Sequence, residues 1–288
     1  MRFLTSTSVA LSLGVGALAQ GAADAAQKVA AIKQATSQTA ILNILSKDSD
    51  FVFDFNNASA TKGVAGETIS ANIANFPVLT HQSLSMTIGV LEVLWRILNL
   101  VRSACGMNTP HTHPRATEML YLINGSIRTG MLQENGARFV YNEVTSNQAQ
   151  VFPQGSIHYQ ENTGCEPAVF VAALNNEDPG VSSIAQRYFG LPPDIVAASL
   201  GGIGVEEVAG LESKIPDNIA LGTDECLKRC NITRGSQPTN QRQPRVSGNA
   251  LPSGFSGPTP PSTTASTSTA ASSPSVTHGT RRRSVRFN

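Results

Sequence analysis

Short runs in which apolar and polar residues alternate recur between residues 51 and 174. Phe51-Val52-Phe53-Asp54-Phe55 alternates as a half-buried strand does, because successive side chains of an extended chain point to opposite faces. Residues 76–79 and 84–91 read as further strands, followed by 118–123, 127–132, 139–141, 149–152 and 168–174. Asn124-Gly125 between two of these runs is a strong hairpin signal. Short strands with turns at even spacing predict a closed or sandwiched all-β unit. A small barrel of this kind has an interior that can hold a metal and one small ligand.

The pattern changes on both sides. Val29, Ile32, Ile41, Ile44 and Leu45 follow a partial 3.6-residue period, which predicts a helical extension over residues 20–50 with Ser37 as a cap. After Asp178-Pro179-Gly180, residues 181–189, 193–200 and 205–211 read as short amphipathic helices, with Pro192-Pro193 suited to a helix start. From residue 234 to 288, Ser, Thr, Pro and Gly dominate, and such a segment buries too little apolar surface to fold. The predicted organisation is a signal peptide (1–19), a helical extension (20–50), one β domain with its helices (51–212), a cysteine-containing segment (213–233) and a disordered tail (234–288).

The first 19 residues read as a secretory signal. Arg2 is the positive end, residues 9–18 form an apolar run too short to span a bilayer, and Ala17-Leu18-Ala19 is a cleavage site, with Ala23-Asp24-Ala25 as a second candidate. No other stretch reads as a membrane span. Localisation is therefore predicted to be secreted, extracellular or at the cell wall. That makes disulfides permissible for the four cysteines, Cys105, Cys165, Cys226 and Cys230. Asn57 and Asn231 open glycosylation sequons; Asn124-Gly125-Ser126 is a third, placed in a tight turn that hinders its use. A net charge of +1 over 288 residues argues against a nucleic-acid partner held by electrostatics.

The candidate chemistry is concentrated. The chain has five histidines, and two of them stand in His111-Thr112-His113-Pro114-Arg115-Ala116-Thr117-Glu118. In extended chain, His111 and His113 project from one face. The next four residues leave room for the chain to bend and return the Glu118 carboxylate to the same point. His158 lies in a second motif, whereas His81 and His278 lie outside both.

Cys105 to Gly125 resembles the first cupin motif: five residues, His-x-His, four residues, Glu118, six residues, Gly125. Pro153, Gly155, His158 and Asn162 match the second, Pro-x-Gly-x-x-His-x-x-x-Asn. The wording around His111 is similar to the germin-like and spherulin branch of that superfamily. The glycines that open the two motifs are replaced by Cys105 and Asn147, and Asn tolerates positive φ. The resemblance implies an all-β cupin barrel of jelly-roll type with short N-terminal and C-terminal helices. It implies His111, His113, Glu118 and His158 as metal ligands, and Mn(II) ahead of Fe or Ni. Three imidazoles and a carboxylate leave open positions on a six-coordinate ion, unlike a closed structural zinc site.

That likeness carries further expectations. Asn108, three before His111, is placed to bind a metal-held oxyanion, or is an ordinary turn residue. A second asparagine that the germins use is absent near Met86 or Thr87. The family's activities include oxalate oxidation and superoxide dismutation, while other members have no established catalysis and belong to walls or matrices. The substrate expected of an enzyme here is a small oxyanion or a reactive oxygen species. The C-terminal helices imply a homo-oligomer, a trimer or hexamer. Because Cys105 precedes motif one and Cys165 comes after motif two, the preferred pairing is 105–165 with 226–230. Finally, residues 92–103 interrupt the family pattern, either as translated intron or as a helical loop with Leu94, Ile97, Leu98 and Val101 on one face.

Overall fold

The computed structural model describes residues 7–91, 104–212 and 214–235. The 92–103 insert and almost all of the predicted tail lie outside the described residues. The chain begins with helices α1 (Thr7–Gln34) and α2 (Gln38–Ile44). Ser37 caps α2 as expected: its hydroxyl accepts the Ala40 backbone N–H at 3.2 Å, which satisfies one of the donors left open at a helix start. Ile32 and Leu45 are buried, and Lys28 pairs with Asp50 at 2.5 Å.

Residues 51–55 are not a strand. A 3-10 helix, Asp48–Phe51, runs into irregular chain. The rings of this stretch cluster instead of pairing with a sheet: Phe53 meets Phe55 at 4.8 Å and Phe76 at 5.4 Å. The Asp54 carboxylate accepts hydrogen bonds from Asn56 and Asn57 and closes a turn there. Residues 76–79 likewise contain a 3-10 helix, Pro77–Leu79, because Pro77 has no N–H to give a ladder.

The strands come next as β1 (Thr61–Gly63), β2 (Gly66–Ala71), β3 (Ser85–Leu91), β4 (Gly106–Thr112), β5 (Glu118–Asn124), β6 (Ser126–Leu132), β7 (Val140–Thr145), β8 (Ala149–Phe152), β9 (Ile157–Asn162) and β10 (Ala168–Leu174). After them come β11 (Ser182–Ser183), α3 (Ile184–Tyr188), α4 (Pro193–Ser199), α5 (Val205–Glu212), β12 (Ala220–Leu221) and α6 (Asp224–Arg229). One sheet has the order β1-β2-β3-β10-β5-β8 and the other β11-β4-β9-β6-β7, with β12 added to β4. All pairings are antiparallel.

Alternation sets what the two sheets enclose. Glu118, Leu120 and Leu122 of β5 are buried, while Met119, Tyr121 and Ile123 face outward. Phe170, Ala172 and Leu174 of β10 line the same interior, with Leu91, Phe152 and Ile127. Register is therefore tightly specified, since a slip of one residue would carry Glu118 to the outer surface. Gly89 makes room for the Phe170 ring: a Cβ there would lie 2.1 Å from it.

Asn124-Gly125 does not make a hairpin. β5 and β6 belong to different sheets, and Gly125, at φ +95, is the corner where the chain crosses between them. The motif-opening residues adopt the left-handed conformation that favours glycine, Cys105 at φ 58 and Asn147 at φ 69. Asn147 tolerates it as expected, and its Oδ1 accepts the Tyr121 hydroxyl at 2.9 Å.

The disulfides correct the predicted pairing. Cys105 is bonded to Cys226 and Cys165 to Cys230, with Cα separations of 5.7 and 5.3 Å. Cys226 lies in α6 and Cys230 caps it. Positions four apart on a helix hold their Cβ atoms about 5–6 Å apart, too far for a disulfide at about 3.8 Å. Each of the two instead meets a different cysteine of the barrel, one before β4 and one between β9 and β10.

Candidate metal centre

Three elements supply the site. His111 is the penultimate residue of β4 and pairs with His158 of β9 across the ladder. His113 comes just after β4, and Glu118 opens β5 in the opposite sheet. Their ligand atoms all lie within 4.8 Å of one another. His111, Glu118 and His158 are buried, and the His113 side chain is 14% exposed.

Each imidazole is oriented from behind. His111 Nδ1 donates to Thr109 O at 2.8 Å, His113 Nδ1 to Gly180 O at 2.6 Å and His158 Nδ1 to Ser156 O at 3.0 Å. A backbone carbonyl only accepts, so the proton sits on Nδ1 in all three rings. Every Nε2 is then left to face the interior. Phe152 stacks on the His158 ring at 4.3 Å and fixes its plane.

His113 Nε2 lies 2.9 Å and His158 Nε2 3.3 Å from Glu118 Oε2. Burial favours the neutral carboxyl, but the facing His113 and His158 rings outweigh it and hold the Glu118 pKa well below the usual carboxylate range. For His111, burial dominates, assisted by the neighbouring His158, and its pKa falls to about 3. Burial also opposes charge on His113, but the Glu118 carboxylate prevails and raises its pKa. The site thus offers an anionic carboxylate from Glu118 and three imidazole nitrogens, of which His111 is held neutral by burial. This donor set fits a divalent ion with mixed N/O preference.

Behind the ligands runs a chain of amides. Gln160 Nε2 donates to Glu118 Oε1 at 3.5 Å, Asn108 Nδ2 to Gln160 Oε1 at 2.9 Å, and Asn218 Nδ2 to Asn108 Oδ1 at 2.6 Å. Asn108 is buried in β4, with both ends of its amide engaged. Sequence reasoning passed over Gln160, which occupies an unspecified position of the second motif, and Asn218, which belongs to neither motif. Asn57 and Asn231 are exposed, while His81 lies in an exposed turn outside the site. Among the described residues, no helix is long and apolar enough to cross a membrane.

Two facing antiparallel sheets with a three-histidine, one-carboxylate cluster between them define a β-barrel protein with an internal metal-type site. The chain belongs to the cupin family: residues 53–206 match it. It is 41% identical over 207 residues to spherulin-1A of Physarum polycephalum, covering 71% of this chain and 79% of that protein. It is 33% identical over 154 residues to germin-like protein 1-3 of Oryza sativa subsp. japonica, covering 53% and 64%. Among solved structures, an oxalate oxidase superposes with a TM-score of 0.50 at 24% identity, covering 58% of this chain and 81% of that one. Bacillus subtilis oxalate decarboxylase, studied for its Mn(II) centres, superposes with a TM-score of 0.50 at 21% identity, covering 59% and 41%. These two likenesses are of fold.

Proposed function

We propose that this chain is a secreted, Mn(II)-binding germin-like cupin that acts as an oxidoreductase on a small oxyanion or a reactive oxygen species, of oxalate oxidase or superoxide dismutase type. The observation that carries this reading is the convergence of three Nε2 atoms and the Glu118 carboxylate, with every Nδ1 held by a backbone carbonyl. His111, His113, Glu118 and His158 would hold the ion. A bound ion would supply Lewis acidity and one-electron chemistry at the positions that four protein ligands leave open. The chain's own residues do the rest. Buried Glu118 stays ionised and offsets the positive charge, while the backbone carbonyls keep the imidazoles in the ligating tautomer. Substrate contact by Asn108 requires it to exchange its bond to Gln160 for one to the oxyanion. The ligand set suits Mn(II), Fe or Ni, and Mn(II) is put first on the Mn(II) centres of the decarboxylase of like fold.

Secretion is supported by the short apolar run at residues 9–18 and by two disulfides, which persist in oxidising compartments. Assembly as a homo-oligomer, a trimer or hexamer, is supported by the helices. α4 and α5 share a small core of Val196, Ala197 and Val208, yet leave Ile195, Leu200 and Leu211 exposed. Likeness to spherulin-1A and the Ser/Thr/Pro-rich tail favour a second reading, a non-catalytic metal-binding protein of an extracellular matrix or cell wall.

Purified, Mn(II)-loaded protein separates the readings. The enzyme reading requires hydrogen peroxide from oxalate or removal of superoxide, in proportion to bound metal. Stoichiometric metal with neither activity supports the matrix protein.

A further inference from the structure

We propose that Asn218, in the disulfide-bound C-terminal segment, is a positioning residue of the metal site, acting through Asn108 and Gln160 on Glu118. This rests on the metal-binding reading of that site.

The segment after α5 folds back over the barrel. Ala220 and Leu221 pair with Met107 and Gly106 of β4, and the Thr223 N–H donates to Glu161 Oε1 at 2.7 Å. Ile219 is fully buried, and its backbone lies so close to Gly63 that a Cβ on Gly63 would come within 2.0 Å of Ile219 O. The Cys105–Cys226 and Cys165–Cys230 bonds fasten α6 and its C-terminal cap to the barrel. Asn218 is therefore presented to β4 by a segment with little freedom.

The direction of its amide is decided by one fixed group. Asn218 Oδ1 accepts the Thr109 backbone N–H at 2.8 Å, and a backbone N–H cannot reverse its role. The Asn218 NH2 must then face Asn108 Oδ1. That places the Asn108 NH2 on Gln160 Oε1, and the Gln160 NH2 on Glu118 Oε1. Three side-chain amides thus align with their donors toward the ligand carboxylate. Thr109 also supplies the carbonyl that orients His111, so Asn218 grips the bulge in β4 from which that ligand hangs. Oε1 of Glu118 is engaged by the chain, and Oε2 is left to the centre shared with the imidazoles.

Asn218→Asp keeps the shape and the bond from Thr109 but offers no donor to Asn108. Asn108 and Gln160 must turn over, and Gln160 then presents its carbonyl to Glu118. Outer-shell changes of this kind weaken metal binding by roughly 10–100-fold. The test is the Mn(II) dissociation constant of the full chain, read from the EPR signal of free aqueous Mn(II), for wild type, Asn218→Asp and Arg234→Ala. Arg234 holds the same segment through Asp224 but makes no bond to the amides. Melting temperature and disulfide content are measured on the same samples. The expected result is one tight Mn(II) in wild type and Arg234→Ala, and at least about tenfold weaker binding with an altered bound-Mn(II) spectrum in Asn218→Asp. If Asn218→Asp does not fold, Asn218→Ala, which removes the amide without adding charge, decides by the same criterion. Equal affinity in wild type and the folded variant overturns the positioning role and leaves the metal site standing. Equal weakening in Arg234→Ala overturns it too, since any loosening of the segment then suffices. A wild type that binds no Mn(II) overturns the metal reading itself.

Discussion

His113 Nε2 stands 2.9 Å from Glu118 Oε2; His113 directly follows β4 of one sheet, and Glu118 opens β5 of the other. Only four residues of chain separate them, so the crossing between sheets is itself what assembles half of the ligand set. The pair ties ligand geometry to the way the barrel closes.

Replacing His113, His158 or Glu118 is therefore expected to abolish stoichiometric metal. His113→Ala, His158→Ala and Glu118→Gln should each lose metal under conditions where His81→Ala retains one ion per chain. Elemental analysis after gel filtration reads the outcome. Retention of tightly bound metal by all three variants would remove this site from consideration.

Acid should destabilise the metal-free protein in a definite window. His111 has a folded pKa near 3 against an ordinary 6.5, so the unfolded chain binds the extra proton and stability falls as pH drops from 6.5 toward 3. The full effect is on the order of 5 kcal/mol. Glu118, with a lowered folded pKa, contributes stability above about 4.5 that is lost as pH falls further toward its folded value. His113 acts oppositely: its raised pKa gives stability below 6.5 that is lost as pH rises through the folded value. Urea midpoints in chelator should drop between pH 6.5 and 4, and His111→Gln should flatten that drop. Midpoints independent of pH in the wild type would contradict the burial of a neutral His111.

Cys226→Ser should cost about 4 kcal/mol of stability, because the lost bond closes a loop with a sequence separation of 121. Guanidinium unfolding under non-reducing conditions measures it. A loss below about 1 kcal/mol would mean that packing of Ile219 and Leu227 already holds the segment in place.

Gly63→Ala should destabilise by about 3 kcal/mol, since its Cβ would strike the Ile219 backbone, which has no side-chain freedom with which to yield. Thermal melting tests this, with Gly210→Ala as a comparison at a glycine with open space around it and no positive φ.

Ile195→Asp should dissociate the proposed oligomer without unfolding the barrel, because Ile195 is 55% exposed on α4 and outside the barrel core. Native mass at micromolar concentration is the measurement. A monomeric wild type would defeat the assembly reading.

Where alternation met a clear partner strand, the sequence was legible. β5 and β10 show the period of two that buries Leu120 and Phe170, and the spacing of His111, His113, Glu118 and His158 identified residues that the barrel brings together. Phe51 to Phe55 carried the same period and formed no strand, because aromatic rings found one another before any ladder. The cysteine pairs were illegible for a different reason. Cys226 and Cys230 look like neighbours in sequence, and only the placement of α6 against both barrel cysteines separates them. Asn218 had no local signal at all, since its role comes from contact with Thr109 and Asn108, more than a hundred residues away.

The crossed disulfides have a consequence for proteolysis. Gly201 and Gly202, between α4 and α5, are exposed and make no tight contacts. A protease cutting there would divide the chain into a piece carrying Cys105 and Cys165 and a piece carrying Cys226 and Cys230. Two covalent links would still join the halves, and Asn218 would remain seated on β4. Nicked molecules would migrate at full length until a reductant was added, so clipping in a protease-rich environment need not end the working life of the protein.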